Sequence, residues 1–212
     1  MVSKVKVDVL ETVSGSGNLV VNQPLSGSGA SLTSLPAGNL TGTLPAIDGS
    51  SLTGLTSGYT ELGVANTTSG SSSTIGSIPA SVKTLLIVIN KASCTGAAEL
   101  ILQLGDAGGI ETSGYASTTH KGDHTFSRTF YNDTAHFGLA DGGSGADPFC
   151  TVMNLTRSAS GVNDWIVTWI TKQSTGAVNW GSGSKTLSGE LTQINLLTNG
   201  TFDSGNWNAY YQ

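Results

Sequence analysis

Between Ser26 and Ser57 the chain uses one short phrase three times, as Leu32-Thr33-Ser34-Leu35-Pro36, Leu40-Thr41-Gly42-Thr43-Leu44-Pro45 and Leu52-Thr53-Gly54-Leu55. Small-residue turns such as Ala37-Gly38-Asn39 and Asp48-Gly49-Ser50 stand between the copies. A repeat constrains architecture more than any single motif, because a short unit cannot bury its apolar face alone and must find it a partner. Leu-Thr alternation gives a short strand with one apolar face, and Pro and Gly set the turns. The density of Gly, Pro and Ser excludes helix. So few leucines cannot offset the entropy of ordering this much backbone within one chain. The stretch 26–57 is therefore expected to be an intertwined trimeric β-shaft, with Leu32, Leu35, Leu40, Leu44, Ile47, Leu52 and Leu55 meeting those of sister chains along the axis. The other solution for such a composition is a flexible linker, which has no use for leucines at recurring places.

Composition points the same way. Only 11% of the 212 residues are charged, 37% are hydrophobic and 29 are Gly, which suits a turn-rich all-β surface protein. The net charge is −5, and nine Lys and Arg with no basic run make nucleic acid an unsuitable partner. The longest apolar run, Leu85 to Ile89, is far too short for a membrane-spanning helix. Lys4 and Lys6 are followed by no apolar run of signal-peptide type. A chain made and assembled in a bacterial cytoplasm keeps Cys94 and Cys150 reduced and leaves the Asn-x-Thr sequons at Asn39, Asn66, Asn132, Asn154 and Asn199 bare. Spacing alone does not decide whether the two cysteines could pair.

Residues 1–25 alternate Val5, Val7 and Val9 with Lys4, Lys6 and Asp8, turn at Ser14-Gly15-Ser16-Gly17 and continue through Leu19 and Val21. This is the pattern of a hairpin, and an isolated two-stranded hairpin needs a partner. Val5, Val7, Val9, Leu19 and Val21 are thus the expected surface for attachment to another protein. Residues 58–212 hold the apolar material for a real core. Val82–Ile89, Leu100–Leu104, Cys150–Leu155, Asp164–Thr171, Glu190–Leu197 and Trp207–Tyr211 are the strongest strand signals. Thr60–Thr67, Ile110–Tyr115, Thr125–Tyr131 and His136–Ala140 are weaker ones. Eight to ten strands without an amphipathic helix predict an antiparallel, jelly-roll-like β-sandwich. The segment from Gly105 to Phe149, rich in Gly, Ser, Thr and Asp, is expected to form long loops between short strands, where recognition usually sits.

Candidate chemistry is sparse. Most carboxylates stand beside Gly, Asn, Ser or Thr, where turn formation explains them, and a long β-helix of the kind that cleaves polysaccharide does not fit this length. The chain is read as a non-enzyme without a cofactor. His120, Asp123 and His124 are the only cluster of metal-type ligands, and two histidines on a glycine-containing loop make it a weak one. Aromatic residues beside amides and carboxylates are the pattern that stacks on and hydrogen-bonds a sugar. Trp165 and Trp169 alternate on one strand face and belong to the core. Trp180, in the turn-rich Val178-Asn179-Trp180-Gly181-Ser182-Gly183, is the first candidate for ligand binding, with packing against a loop or a sister chain as its other use. Asn179, Tyr115, Tyr131, Asn132 and Asp133 follow, and Trp207, Tyr210 and Tyr211 suit the core or a trimer seam.

The phrase LTSLPAGNLTGTLPAIDGSSLTGL resembles the shaft repeats of bacteriophage fibre proteins, in which such units precede a distal β-domain. The resemblance is close over about 30 residues and looser for the layout of the whole chain. It implies a homotrimeric virion fibre and carries over no catalytic residue. The combined expectation is a tail fibre whose distal domain binds a host surface glycan or protein. The alternative is a capsid head fibre or decoration protein, anchored by the hairpin and with little receptor binding of its own.

Overall fold

The structure is a computed structural model that describes residues 58–212, except 81, 97, 123–127, 144–146, 160 and 175 and the side chains of 128–130 and 141–143. The attachment residues Val5, Val7, Val9, Leu19 and Val21, the shaft residues Leu32, Leu35, Leu40, Leu44, Ile47, Leu52 and Leu55, and the pair Asp123 and His124 lie outside the described residues. Those described fall within a unit that runs over Gly54–Gln212.

The described chain is all β. In order come β1 (Thr60–Asn66), β2 (Ser72–Ile75), β3 (Thr84–Thr95), β4 (Ala98–Asp106), β5 (Gly109–Ile110), β6 (Tyr115–Gly122) and β7 (Arg128–Asp133). There follow β8 (Phe137–Gly143), β9 (Phe149–Arg157), β10 (Asp164–Gln173), β11 (Val178–Thr186), β12 (Gln193–Thr198) and β13 (Thr201–Tyr211). They make two antiparallel sheets, an eight-stranded one ordered β1-β13-β3-β9-β10-β11-β6-β7 and a five-stranded one ordered β2-β12-β4-β5, with β8 paired to β4. Period-two alternation explains which face each strand buries. Leu85, Ile87 and Ile89 of β3, Met153 and Leu155 of β9, and Trp165, Val167 and Trp169 of β10 turn inward from the large sheet. Leu100, Leu102 and Leu104 of β4, Phe137 and Leu139 of β8, and Ile194 and Leu196 of β12 are buried in the same core. Trp207 is fully buried and donates its indole N–H to Ser73 Oγ at 2.9 Å.

The expected sandwich is therefore present, with more strands than the eight to ten counted from sequence. Two segments differ from expectation in kind. Val178–Thr186 is a nine-residue strand, not a loop. Its glycines serve packing: a Cβ on Gly181 would sit 2.2 Å from Trp169 Cζ2, and one on Gly183 would sit 2.9 Å from Phe137 Cε1. Likewise Tyr115–Gly122 forms an eight-residue strand inside the segment expected to be long loops. It carries Ser, Thr and Ala where an obvious strand carries aliphatics, and β11 on one side and β7 on the other supply its ladder bonds. Cys94 is buried and Cys150 exposed, and both are free thiols.

Candidate functional site

Strand β7 is the far edge of the large sheet, and β8 belongs to the small one, so the residues between them carry the chain from one sheet to the other. Asp133 and His136 build that corner. Asp133 Oδ1 accepts the Ala135 N–H at 2.8 Å, an Asx turn that reverses the backbone locally, while Oδ2 lies 3.1 Å from His136 Nε2. Gln103 of β4 donates its side-chain amide to the Ala135 carbonyl at 3.2 Å and ties the corner to the small sheet. Thr119 Oγ1 of β6 donates to the Gly138 carbonyl and holds the start of β8. Between these elements opens a cavity of about 270 Å3, lined by Glu99, Thr119, Tyr131, Asn132, Asp133, His136, Gly138 and Ala140.

The side chains of the lining combine an aromatic ring, two carboxylates and an imidazole. Tyr131 is 36% exposed, the Asp133 side chain 31% and that of His136 18%, so the cavity opens to solvent and its polar groups can be reached. His136 Nδ1 is buried without a hydrogen-bond partner among the described residues. With Nε2 turned to Asp133, which sets the ring orientation, Nδ1 is left as a buried acceptor unsatisfied among the described residues. Asn132 points its Oδ1 to the Thr118 hydroxyl at 2.8 Å, on the opposite side of β7 from Tyr131. Small-molecule pockets start at about 300 Å3, so a cavity of this size suits one small ring rather than an extended ligand.

The sequence candidates separate into three places. Tyr131, Asn132 and Asp133 come together at this cavity. Tyr115 and Asn179 lie in the interior, 3% and 0% exposed. The Tyr115 hydroxyl accepts the Leu104 N–H at 2.8 Å and donates to the Glu111 carbonyl at 2.8 Å, its ring meets Phe137 edge-on, and burial pushes its pKa up to about 12. Asn179 faces inward because Trp180, its neighbour on the strand, faces outward. Trp180 itself is 43% exposed on the outer face of β11, stacked on His120 with ring centroids 5.8 Å apart and planes 11° from parallel. Glu99, Thr119 and Gly138 gave no sequence signal, since they reach the cavity from other strands. By residue type His136 is a further metal-type ligand beside His120, Asp123 and His124, and here it pairs with Asp133.

A second polar cluster joins Asp106, Glu111, Lys185 and Ser188. Ser188 Oγ lies 2.7 Å from Asp106 Oδ2 and 2.9 Å from Glu111 Oε1, the Ser188 N–H donates to Glu111 at 2.7 Å, and Lys185 pairs with Glu111. Burial alone would raise the Glu111 pKa, but the Lys185 ammonium and the Ser188 donors outweigh it and hold the carboxyl below its usual range. The Ser188 hydroxyl and the Gly108 N–H lower Asp106 in the same direction. These groups satisfy one another, and the cluster clamps the Leu187–Gly189 turn to β4. Among the described residues no group of three His, Cys, Asp or Glu side chains could hold a metal ion. Compared with protein-family models, curated proteins and solved structures, the chain matches none.

Proposed function

We propose that this chain is a virion fibre of a bacteriophage, and that its sandwich domain binds a host surface glycan through the cavity between β7 and β8. The shaft phrase at 26–57 supports the first half of that reading, with residues 1–25 as the attachment hairpin and three chains to a fibre. The observation that carries the second half is the cavity itself, where Tyr131 offers a ring face for sugar C–H groups and Glu99, Asp133 and His136 offer partners for hydroxyls. Loops and corners held on a rigid scaffold are where recognition usually sits. Three such sites on one stalk would raise the effective concentration at a repetitive cell surface.

The framework is read as a jelly roll. Strand pairing supports this: leaving out β5, β6, β7, β10 and β11, the first strand pairs with the last (β1 with β13), and β2 with β12, β3 with β9, and β4 with β8 follow. That is a long hairpin of eight strands rolled into two sheets. Strands β6, β7, β10 and β11 are then additions that widen the large sheet, and the cavity lies where the first addition returns to the framework.

The test is binding of the full chain to bacterial cells and to arrayed surface glycans, with Tyr131→Ala and Glu99→Gln as variants. Saturable binding that falls at least about tenfold in either variant, a loss of about 1.4 kcal/mol, agrees with the proposal. Binding unchanged by both variants rejects the cavity. A trimer that binds no cell favours the head-fibre or decoration role.

A further inference from the structure

The large sheet has an outer face that the core does not explain. Register places Val88 of β3 opposite Val152 of β9, Val152 opposite Ile170 of β10, Ile170 opposite Trp180 of β11, and Trp180 opposite His120 of β6. All point away from the buried side chains, and Val152, Ile170 and Trp180 are 49%, 60% and 43% exposed. Ile166, two rows along on β10, is 54% exposed. Strand propensity accounts for a Val or an Ile on a solvated strand taken singly. It does not account for the indole, nor for four apolar side chains falling in one row across four adjacent strands. The row is level: Trp180 stacks on His120 and reaches over Gly122, where an added Cβ would come 3.2 Å from its ring.

We propose that this outer face is the contact surface between copies of the chain. On the outward or exposed positions of β3, β9, β10, β11 and β6 the charged side chains are Lys91 at the β3 bulge and Asp164 and Lys172, one at each end of β10, all at the margins of the row. The face therefore carries little charge, none of it in the row itself, in a chain of net charge −5, so it is where two copies repel each other least. Its remaining positions, including Asn154, Thr168, Ser182 and Thr118, carry small uncharged groups, and depletion of charge with an aromatic and aliphatic centre is the composition of an interface core. Five strands about 4.8 Å apart and nine residues long give on the order of 700 Å2, close to the roughly 800 Å2 that each partner buries in a stable complex. Face-to-face packing of sheets is the ordinary way to cover such a surface. An anionic partner such as nucleic acid or a lipid headgroup finds only Lys91 and Lys172 there, both at the margins, and a glycan finds few hydrogen-bonding groups along the row. The contact lies on a different face from the β7–β8 cavity and leaves it open.

Acrylamide quenching of the full-length chain, read alongside its mass by light scattering, tests this directly. Trp165, Trp169 and Trp207 are buried, so Trp180 is the quenchable indole of a lone domain. The expected result is a wild-type mass that is a multiple of 21.6 kDa, with quenching that Trp180→Phe does not reduce. In the double variant Val152→Lys/Ile170→Lys, a quenchable component then emerges that Trp180→Phe removes. Both positions are solvent-facing in the single domain, and unchanged circular dichroism confirms that the variant folds. Mass and quenching separate the two proposals: if the shaft alone holds the chains together, the variant keeps its mass while Trp180 becomes accessible. Wild-type protein whose Trp180 is already fully quenchable overturns the inference, whatever its mass. So does a monomer with Trp180 shielded, because the cover is then part of the same chain.

Discussion

At the scale of single residues, the glycines of β11 show how a side chain that is absent can determine a fold. Gly181 leaves room for the ring of Trp169, and a Cβ there would also lie 2.6 Å from the Thr118 carbonyl oxygen, which belongs to the neighbouring backbone and cannot swing aside. Gly181→Ala should therefore destabilise the domain by about 2–3 kcal/mol, at the upper end of overpacking costs, although Ala is the smallest possible change. A fall in the denaturation midpoint with unchanged slope checks this, and an unaltered midpoint would mean that Trp169 has space to move. The same residues explain why the strand was not legible in the sequence. Val-Asn-Trp-Gly-Ser-Gly-Ser has the composition of a turn, and only the rings that fill the space above the glycines, Trp169 over Gly181 and Phe137 over Gly183, reveal their purpose. Tyr115 was misplaced for the converse reason. A tyrosine near the start of a polar segment looks available, but its hydroxyl is taken by the main chain of β4 and the β5–β6 connection.

Among the elements, β3 and β13 carry the irregularities that bend the large sheet. Their pairing shifts register between Phe202 and Ser204 and again between Ser204 and Asn206. Gly205 has a φ of +95°, and a Cβ on it would meet the Lys91 carbonyl oxygen at 2.4 Å and the Ala92 nitrogen at 2.5 Å. Opposite it, Lys91 has a φ of +53°, a conformation that a non-glycine residue adopts at a cost. Opposite effects are expected from two exchanges. Gly205→Ala should cost at least about 2 kcal/mol, from contact and backbone strain together. Lys91→Gly should be neutral or stabilising by up to about 1 kcal/mol, because it relieves strain while adding entropy to the unfolded chain. Thermal unfolding of both variants measures the pair, and a strongly destabilised Lys91→Gly would show that the lysine side chain has a role of its own. The strong alternating patterns, in contrast, were plain beforehand. Asp164–Gln173 alternates buried and exposed along its length with Trp165 and Trp169 inward, as its sequence requires.

For the whole molecule, the clamp formed by Asp106, Glu111, Lys185 and Ser188 predicts the response to acid. Both carboxyls sit below their usual pKa in the folded state, so the unfolded chain takes up protons first as pH falls. Their contribution is fully present above the unfolded pKa values and is lost as pH drops through the lower folded ones. Stability should accordingly decline below the ordinary carboxylate range. The double variant Asp106→Asn/Glu111→Gln, weaker at neutral pH, should show a shallower decline over the same interval. Denaturation midpoints measured from neutral pH to about pH 3 give both slopes. Parallel slopes would mean that other groups govern acid unfolding.

The sequence by itself determined that the described chain is all β, which strands carry the core tryptophans, and that Tyr131, Asn132 and Asp133 share a segment rich in polar groups. It could do so because strand periodicity and turn chemistry are local, set by neighbours two to four residues away. Only the tertiary structure decided the rest. Tyr131 and Asp133 come to line one cavity with Glu99 because β4, β6, β7 and β8 meet at the corner between two sheets. Val88, Val152, Ile170 and Trp180 become a row because antiparallel register aligns the consecutive strands β9, β10 and β11 and sets the distant β3 beside β9. Cavities and faces of this kind arise from pairings between distant segments, and no local pattern of residues encodes which strand will lie beside which.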